Sequence, residues 1–378
     1  MQAPENSDGP FVAPRPRRGL RLAVLFAGGT LVIAAFVVPL GRGVFSLPTF
    51  LHLFPQPRTQ LTVRLDTGAV PRLVVRTLSE DVRSLMRETR IGFASTTPSG
   101  DGVDVTIREG TDREQAIARL CELSRQPKAA GGAETERFTI ADAGGAVLRL
   151  APTAAAIAEG VDRALDQTID VLGQRIRSLD LKPAFSREGE DRIVIEVPRQ
   201  PDPTRLKAVI VTPGRLTFRL VDTSVGAEEA KLGQMPTQSE ILPDRNGTLY
   251  LVEKRVAMSG ESLVDAQPSY DQGTDQPIVS FRFNAAGSRQ FARVTAEKVG
   301  SPFAVVLDGV VLAAPVIREP ILGGSGQISG GFTLESANNL AILLRSGALP
   351  APLTIIEERT LETRAAPLGT WPHLAFAK

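Results

Sequence analysis

Apolar and polar positions alternate along residues 61–66 (LTVRLD), the two-residue period of a half-buried strand. From 70 to 89 the period lengthens. Val74, Leu78, Val82 and Leu85 fall three or four apart, as on one face of a helix. Ile91–Ser95 and Val103–Ile107 are short β-prone runs on either side of the turn-rich stretch TTPSGDG. The same order recurs further on. Val147–Leu150 reads as a strand, and Thr153 caps a long helix behind Pro152. Its apolar stripe is Ile157, Val161, Leu165, Ile169, Leu172, Ile176 and Leu179, with Glu159, Asp162, Arg163, Asp166 and Asp170 turned to solvent. Pro183–Ser186 and Arg192–Val197 follow as strands. Two strand–helix–strand–strand units packed together predict a ferredoxin-like layer of helices on a sheet. Between them, 125–145 is rich in Ala, Gly and charge and reads as a linker or flexible loop.

Prolines 198, 201, 203 and 213 surround a short helix and mark a boundary, after which a second α+β unit begins at Gly214. Leu216–Val221, Leu249–Val256 and Ile278–Phe283 read as strands, with 223–247 polar and irregular between the first two. Asn284 caps a helix running to Val299, where Gly300 stops it. Phe303–Leu307 and Val310–Ala313 flank Asp308-Gly309, a strong hairpin signal. Thr333 caps a last helix through Arg345, Gly347 ends it, and Leu353–Glu357 is a final strand.

One segment obeys neither period. Residues 22–40 (LAVLFAGGTLVIAAFVVPL) carry no charge, and about 20 apolar residues are enough to span a bilayer. Arg15, Arg17, Arg18 and Arg21 precede the run, while Arg42 alone is close behind it. The positive-inside rule then keeps 1–19 in the cytoplasm, makes 20–41 an uncleaved anchor and exports the rest.

Composition narrows the chemistry. The chain has 378 residues, 42% apolar and 22% charged, with 43 basic against 42 acidic side chains and a net charge of +1. No global field is available to gather nucleic acid, and two tyrosines with one tryptophan supply few stacking platforms. The single cysteine, Cys121, excludes an intramolecular disulfide and reads as a buried small hydrophobe. His52 and His373 lie near opposite ends of the chain, so no metal site or Ser–His relay is expected. Ser262, Ser269 and Ser325 lack a nucleophile-elbow pattern. The glycine cluster 322–331 (LGGSGQISGG) is followed by Phe332 where a phosphate loop needs Lys, and it reads as turned or mobile backbone. Glu357 and Glu358, adjacent on a strand, point to opposite faces and cannot form an acid/base pair. With Arg359 they read as a solvated charge cluster after the last strand. No catalytic, metal or cofactor residues are assigned, and the chain is not read as an enzyme.

Three blocks within 278–360 carry a resemblance: RFNAAGSRQFARVT, FAVVLDGVVLAAPVI and GGSGQISGGFT…ANNLAILLRSGALPAPL. They resemble SecD, a protein translocase subunit. Residues 168–203 resemble the base of its exported region, and 61–107 are similar more loosely. The resemblance implies a periplasmic ferredoxin-like base over 42–213, an inserted α+β head over 214–348, and a return strand with a divergent tail over 349–378. It implies work beside SecF and the SecYEG channel with SecA, at the inner membrane, where the head swings and contacts emerging unfolded preprotein. Candidate polypeptide-contact and hinge positions are Phe281, Phe283, Phe291, Phe303, Gly323, Gly324, Gly326, Gly330 and Gly331.

Two departures qualify the expectation. The glycine-bearing motif that leads into the base of SecD proteins is absent from 48–63, and the sequence leaves the family after Thr360, where SecD continues into further membrane helices bearing an acidic residue. A proton path needs an ionisable group within the membrane, so any coupling to the proton-motive force is expected from a partner. The alternative is a stand-alone envelope binding module, or a degenerate SecD remnant with no export role.

Overall fold

The structure is a computed structural model that describes residues 58–108, 113–125, 136–198 and 203–361. The expected anchor over 20–41 and His52 and His373 lie outside the described residues. No helix among the described residues is long and apolar enough to cross a membrane.

The first half holds strands β1 (Arg58–Leu65), β2 (Phe93–Ser99), β3 (Gly102–Ile107), β4 (Phe138–Asp142), β5 (Val147–Pro152), β6 (Ala184–Glu188) and β7 (Arg192–Pro198). Its helices are α1 (Val70–Glu88), α2 (Arg113–Ser124), α3 (Ala154–Arg177) and α4 (Pro203–Val211). Two antiparallel sheets result. One has the order β2-β3-β5-β4. The other has the order β17-β1-β7-β6, where β17 (Leu353–Leu361) comes from the far end of the chain. Taken in sequence, β1, α3, β6, β7, α4 and β17 trace β-α-β-β-α-β with spatial order 4-1-3-2, the connectivity of a ferredoxin-like layer.

That layer was expected, but it is assembled from different pieces. The strand–helix–strand–strand repeat does not survive as two units. β1 leaves its sequence neighbours to pair with β7 and β17, and the segment from α1 to β5 is an insertion with its own sheet. Helix α1 serves both sheets. Val70 lies in the core of the β1 layer with Leu61, Leu172 and Ile195, whereas Val75, Leu78, Val82 and Met86 join Val103, Val105, Leu120 and Leu150 over the second sheet.

The second half inserts between α4 and β17. It contains β8 (Leu216–Leu220), a short helical turn α5 (Ala227–Glu229), β9 (Ser239–Pro243), β10 (Leu249–Glu253), β11 (Met258–Ser259), β12 (Leu263–Tyr270), β13 (Pro277–Phe283), α6 (Ala285–Glu297), β14 (Phe303–Leu307), β15 (Val310–Ala313), β16 (Ser325–Ile328) and α7 (Leu334–Ser346). Sheets β11-β8-β14-β15 and β12-β13-β16 enclose one core with α6 and α7, and the β9–β10 hairpin covers the outer side of β14 through Val252, Val306 and Val311. Local chemistry fixes the helix starts as expected. Asn284 accepts the Gly287 N–H at 2.8 Å, and Thr333 and Ser336 cap α7 reciprocally at 3.1 and 2.9 Å. At the β14–β15 turn Asp308 and Gly309 both take positive φ, 49° and 84°.

Several expectations are corrected. Thr96–Ser99, read as turn, are the end of β2, so the turn shrinks to Gly100-Asp101. The stretch 125–145 contains β4, and 223–247 contains β9. Glycine cluster 322–331 contains β16, which pairs with β13. The charges Glu357, Glu358 and Arg359 lie inside β17, not after it, although the carboxylates do diverge: Glu358 meets Lys207 of α4 at 2.6 Å while Glu357 meets Arg359 at 2.5 Å. Helix α2 and strand β12 had no expectation. Each buries few apolar residues, and β12 only Ala266.

Five phenylalanines form the centre of the second core. Phe218 lies 5.5–5.8 Å, ring centre to ring centre, from Phe281, Phe283 and Phe303, and 6.4 Å from Phe291. Phe218→Ala is expected to lower stability by about 3–5 kcal/mol through the cavity it leaves. Urea unfolding followed by far-ultraviolet circular dichroism checks this.

Candidate functional site

Helix α3 carries one residue of the wrong type on its buried side. Arg175 sits between Leu172 and Ile176 of the apolar stripe and has no exposed surface. No carboxylate pairs with it. Its guanidinium instead donates to the Val209 carbonyl at 2.9 Å and to that of Thr212, at the C-terminal end of α4. It also donates to the carbonyls of Pro213 and Gly347 at 3.1 and 3.0 Å and to the Ser346 hydroxyl at 3.2 Å. The last carbonyls of a helix have no partner within it and carry its negative dipole end. One cation therefore caps the C-termini of two helices, α4 and α7. Burial pushes the Arg175 pKa down to about 10, opposed by the charge of Asp308.

The position of these two helix ends gives the contact its meaning. Residues after α4 carry the chain out of the first half, and residues after α7 carry it back. The two connections run side by side, with the Leu349 N–H on the Pro213 carbonyl at 2.8 Å. Each turns at a glycine beside the guanidinium, Gly214 with φ 79° and Gly347 with φ 81°. A Cβ at Gly214 would stand 2.8 Å from Nη2 of Arg175. From the other side the hairpin tip holds the outgoing connection. The Asp308 carboxylate accepts the N–H groups of Gly214 and Arg215 at 3.0 and 2.8 Å. Around this node, Arg205 of α4 donates to Asn339 of α7 at 2.9 Å, and Arg345 donates to the Ser178 hydroxyl at 3.2 Å.

Two clefts reach the node from solvent. One of about 500 Å³ is lined by Arg72 and Arg76 of α1 with Arg215, Asp308 and Pro350. The other, about 390 Å³, lies between Gln167 and Val171 of α3 and Leu216, Gly260 and Gly347. Among the described residues no group of His, Cys, Asp and Glu could hold a metal ion.

The residues singled out in the sequence lie elsewhere. Phe281, Phe283, Phe291 and Phe303 are core side chains, 3–6% exposed, and offer no surface to a polypeptide in this structure. Sequence alone cannot separate an apolar ring that waits for a ligand from one that fills a core. Gly326 lies across from Phe281 on β16, where a Cβ would meet the ring at 2.5 Å. Gly324 packs against Ser288, and a Cβ at Gly330 would approach the Leu312 carbonyl at 2.8 Å. Gly331 turns with φ 61°, and Gly323 is unconstrained. The apolar surface of the second half is a different set. Leu322 is 76% exposed, with Val316 and Val299 about half exposed near it, since residues 317–324 run back along α6 from Gly300 to Ser288. Arg175 itself had a legible signal: an arginine three after Leu172 and four before Leu179 falls on the buried stripe.

Comparison with known proteins places these features. The family profile "SecDF, P1 head subdomain" matches residues 238–351, and "Protein translocase subunit SecDF, P1 domain, N-terminal" matches 165–223. Arg175 lies in the second segment and Gly347 in the first. The chain is 36% identical over 286 residues to the protein translocase subunit SecD of Rickettsia bellii, covering 75% of this chain and 53% of the relative. It is 36% identical over 311 residues to that of Rhodobacter capsulatus, covering 80% and 54%. The chain thus spans about half the length of the curated relatives it matches. Among solved structures, the crystal structure of SecDF in a super-membrane-facing form is 32% identical, covers 52% of this chain and 28% of that one, and has a TM-score of 0.45.

Gly214→Ala is expected to destabilise the protein by about 1–2 kcal/mol from the left-handed backbone alone, before any displacement of Arg175. Equilibrium urea unfolding of the two proteins measures it.

Proposed function

The chain is a relative of the protein translocase subunit SecD, and from that relation we propose that it is an accessory subunit of the Sec translocase, assisting preprotein export by binding the emerging polypeptide. The observation that carries this reading is the match to the SecDF head subdomain over 238–351, on a domain tied to its neighbour by two adjacent glycine-turned connections. The ferredoxin-like layer and its insertion, within 42–213, act as the base. Residues 214–348 act as the head, and 349–361 return the chain to the base. Residues 20–41 hold the protein in the inner membrane with its N-terminus in the cytoplasm and base and head in the periplasm. SecF and SecYEG with SecA are its partners, and proton coupling reaches it through one of them.

An unfolded chain offers backbone groups and scattered apolar side chains, not a shaped ligand. Leu322, Val316 and Val299 give it an exposed apolar strip, and the glycine-bearing segment 322–331 beside them presents backbone with little side-chain cover. The strip replaces the buried phenylalanines as the proposed contact.

The test is site-specific photo-crosslinking in the full chain in its membrane, during export of a stalled preprotein. Crosslinkers at Leu322 and Val316 are expected to capture the preprotein, and one at the buried Phe218 is not. No adduct at Leu322, Val316 or Val299 would overturn the assignment.

A further inference from the structure

Arg175 caps helix ends that belong to the two connections between base and head, while sitting on a base helix. The apolar cores on either side share no residue: Leu61, Leu172, Ile195 and their neighbours form one, and Phe218, Phe281, Leu340 and theirs the other. What joins them at this node is polar. The guanidinium bonds four carbonyls and one hydroxyl, drawn from 209–213 on the outgoing connection and 346–347 on the returning one. Both connections take a left-handed turn beside it, at Gly214 and Gly347.

We propose that Arg175 is the positioning residue that fixes the orientation of the head on the base, a latch closed in this structure, whose release frees the head to pivot at Gly214 and Gly347. The inference rests on the reading of these domains as a base and a head that handle emerging chain, and names the group that controls their angle.

Three features distinguish a latch from a cap that merely completes a core. The bonds run to both connections, so a rotation of either one breaks them. Carbonyl acceptors can be satisfied by water once the node opens, and the clefts of about 500 and 390 Å³ bring solvent to it. A charge without a carboxylate partner is stable only while the helix ends stay aimed at it, so intermediate openings are disfavoured and the joint has two discrete arrangements. Asp308 completes the device from the head side. It holds the Gly214 and Arg215 N–H groups while Arg175 holds the carbonyls before them, so the outgoing connection is gripped from both domains.

The test uses the full chain in detergent or nanodiscs, with Cys121→Ser removing the native thiol. Spin labels at Asp170→Cys on α3 and Glu297→Cys on α6 report the base–head distance by pulsed dipolar spectroscopy. A second pair, Asn246→Cys and Glu297→Cys, stays within the head. With Arg175 present the base–head distribution is expected to be narrow with a single maximum. Arg175→Gln removes the charge and most donors, and Arg175→Lys keeps the charge but replaces the fork by one ammonium that cannot serve both connections. Both are expected to broaden the base–head distribution and add a second maximum while the within-head distance is unchanged. If Arg175→Gln also disturbs the within-head distance, the lysine variant decides. An unchanged base–head distribution in a folded Arg175→Lys protein overturns the latch, even if its melting temperature falls. No preprotein is present in this measurement, so failed crosslinking at Leu322 would sink the polypeptide-binding reading and leave the latch standing.

Discussion

A buried cation with no carboxylate sits at the centre of this molecule, and its stability depends on where three helices end. Taking a guanidinium out of water costs several kcal/mol. At Arg175 the compensation is geometric. The carbonyls at the ends of α4 and α7 point at one guanidinium mounted near the end of α3, and each charge-assisted bond contributes about 1.5–3 kcal/mol. The interaction exists only if α3, α4 and α7 stop at the right residues and in the right directions. Glycine at 214 and 347 is what lets both connections turn there. A larger side chain at 214 would occupy the space of Nη2.

The consequence is a division of labour between kinds of contact. Inside each half, stability comes from apolar burial: Leu61, Leu165 and Ile195 in the base layer, five stacked and tilted phenylalanine rings in the head. Between the halves at the node it comes from directional hydrogen bonds to backbone. Apolar contact tolerates small slips and resists opening to water, whereas directional bonds hold one angle and can be exchanged for water. For a protein related to an export subunit, this arrangement keeps each domain intact while allowing their relative angle to be a variable.

Much of this was legible in the sequence, and the misses have physical causes. Asn284, Thr333 and Asp308-Gly309 encode their structures within three or four residues, so local chemistry places α6, α7 and the β14–β15 turn correctly. The ferredoxin-like connectivity was also anticipated, but not its membership. Pairing of β1 with β7 and β17 joins residues more than a hundred positions apart, and periodicity carries no information on which strands meet. Strand β12 was missed because the face it turns to the core is nearly empty of apolar residues. The phenylalanines were misjudged as contact residues for the opposite reason, since a strong apolar pattern looks alike whether it packs inward or waits for a partner. Arg175 was readable as an anomaly on the stripe of α3; its partners, being carbonyls, leave no side-chain signature at all.

The central claim is that the node opens as a unit weaker than either core, and native-state hydrogen exchange of the full chain measures this most directly. The Leu349, Gly214 and Arg215 amides, bonded across the node, are compared with those of Leu61 in the base and Val305 in the head. The account predicts exchange at the node through a shared opening of lower free energy than that of either core, lowered further in Arg175→Lys while core protection is unchanged. Node amides that exchange only with global unfolding, at the same free energy as Leu61 and Val305, would contradict it.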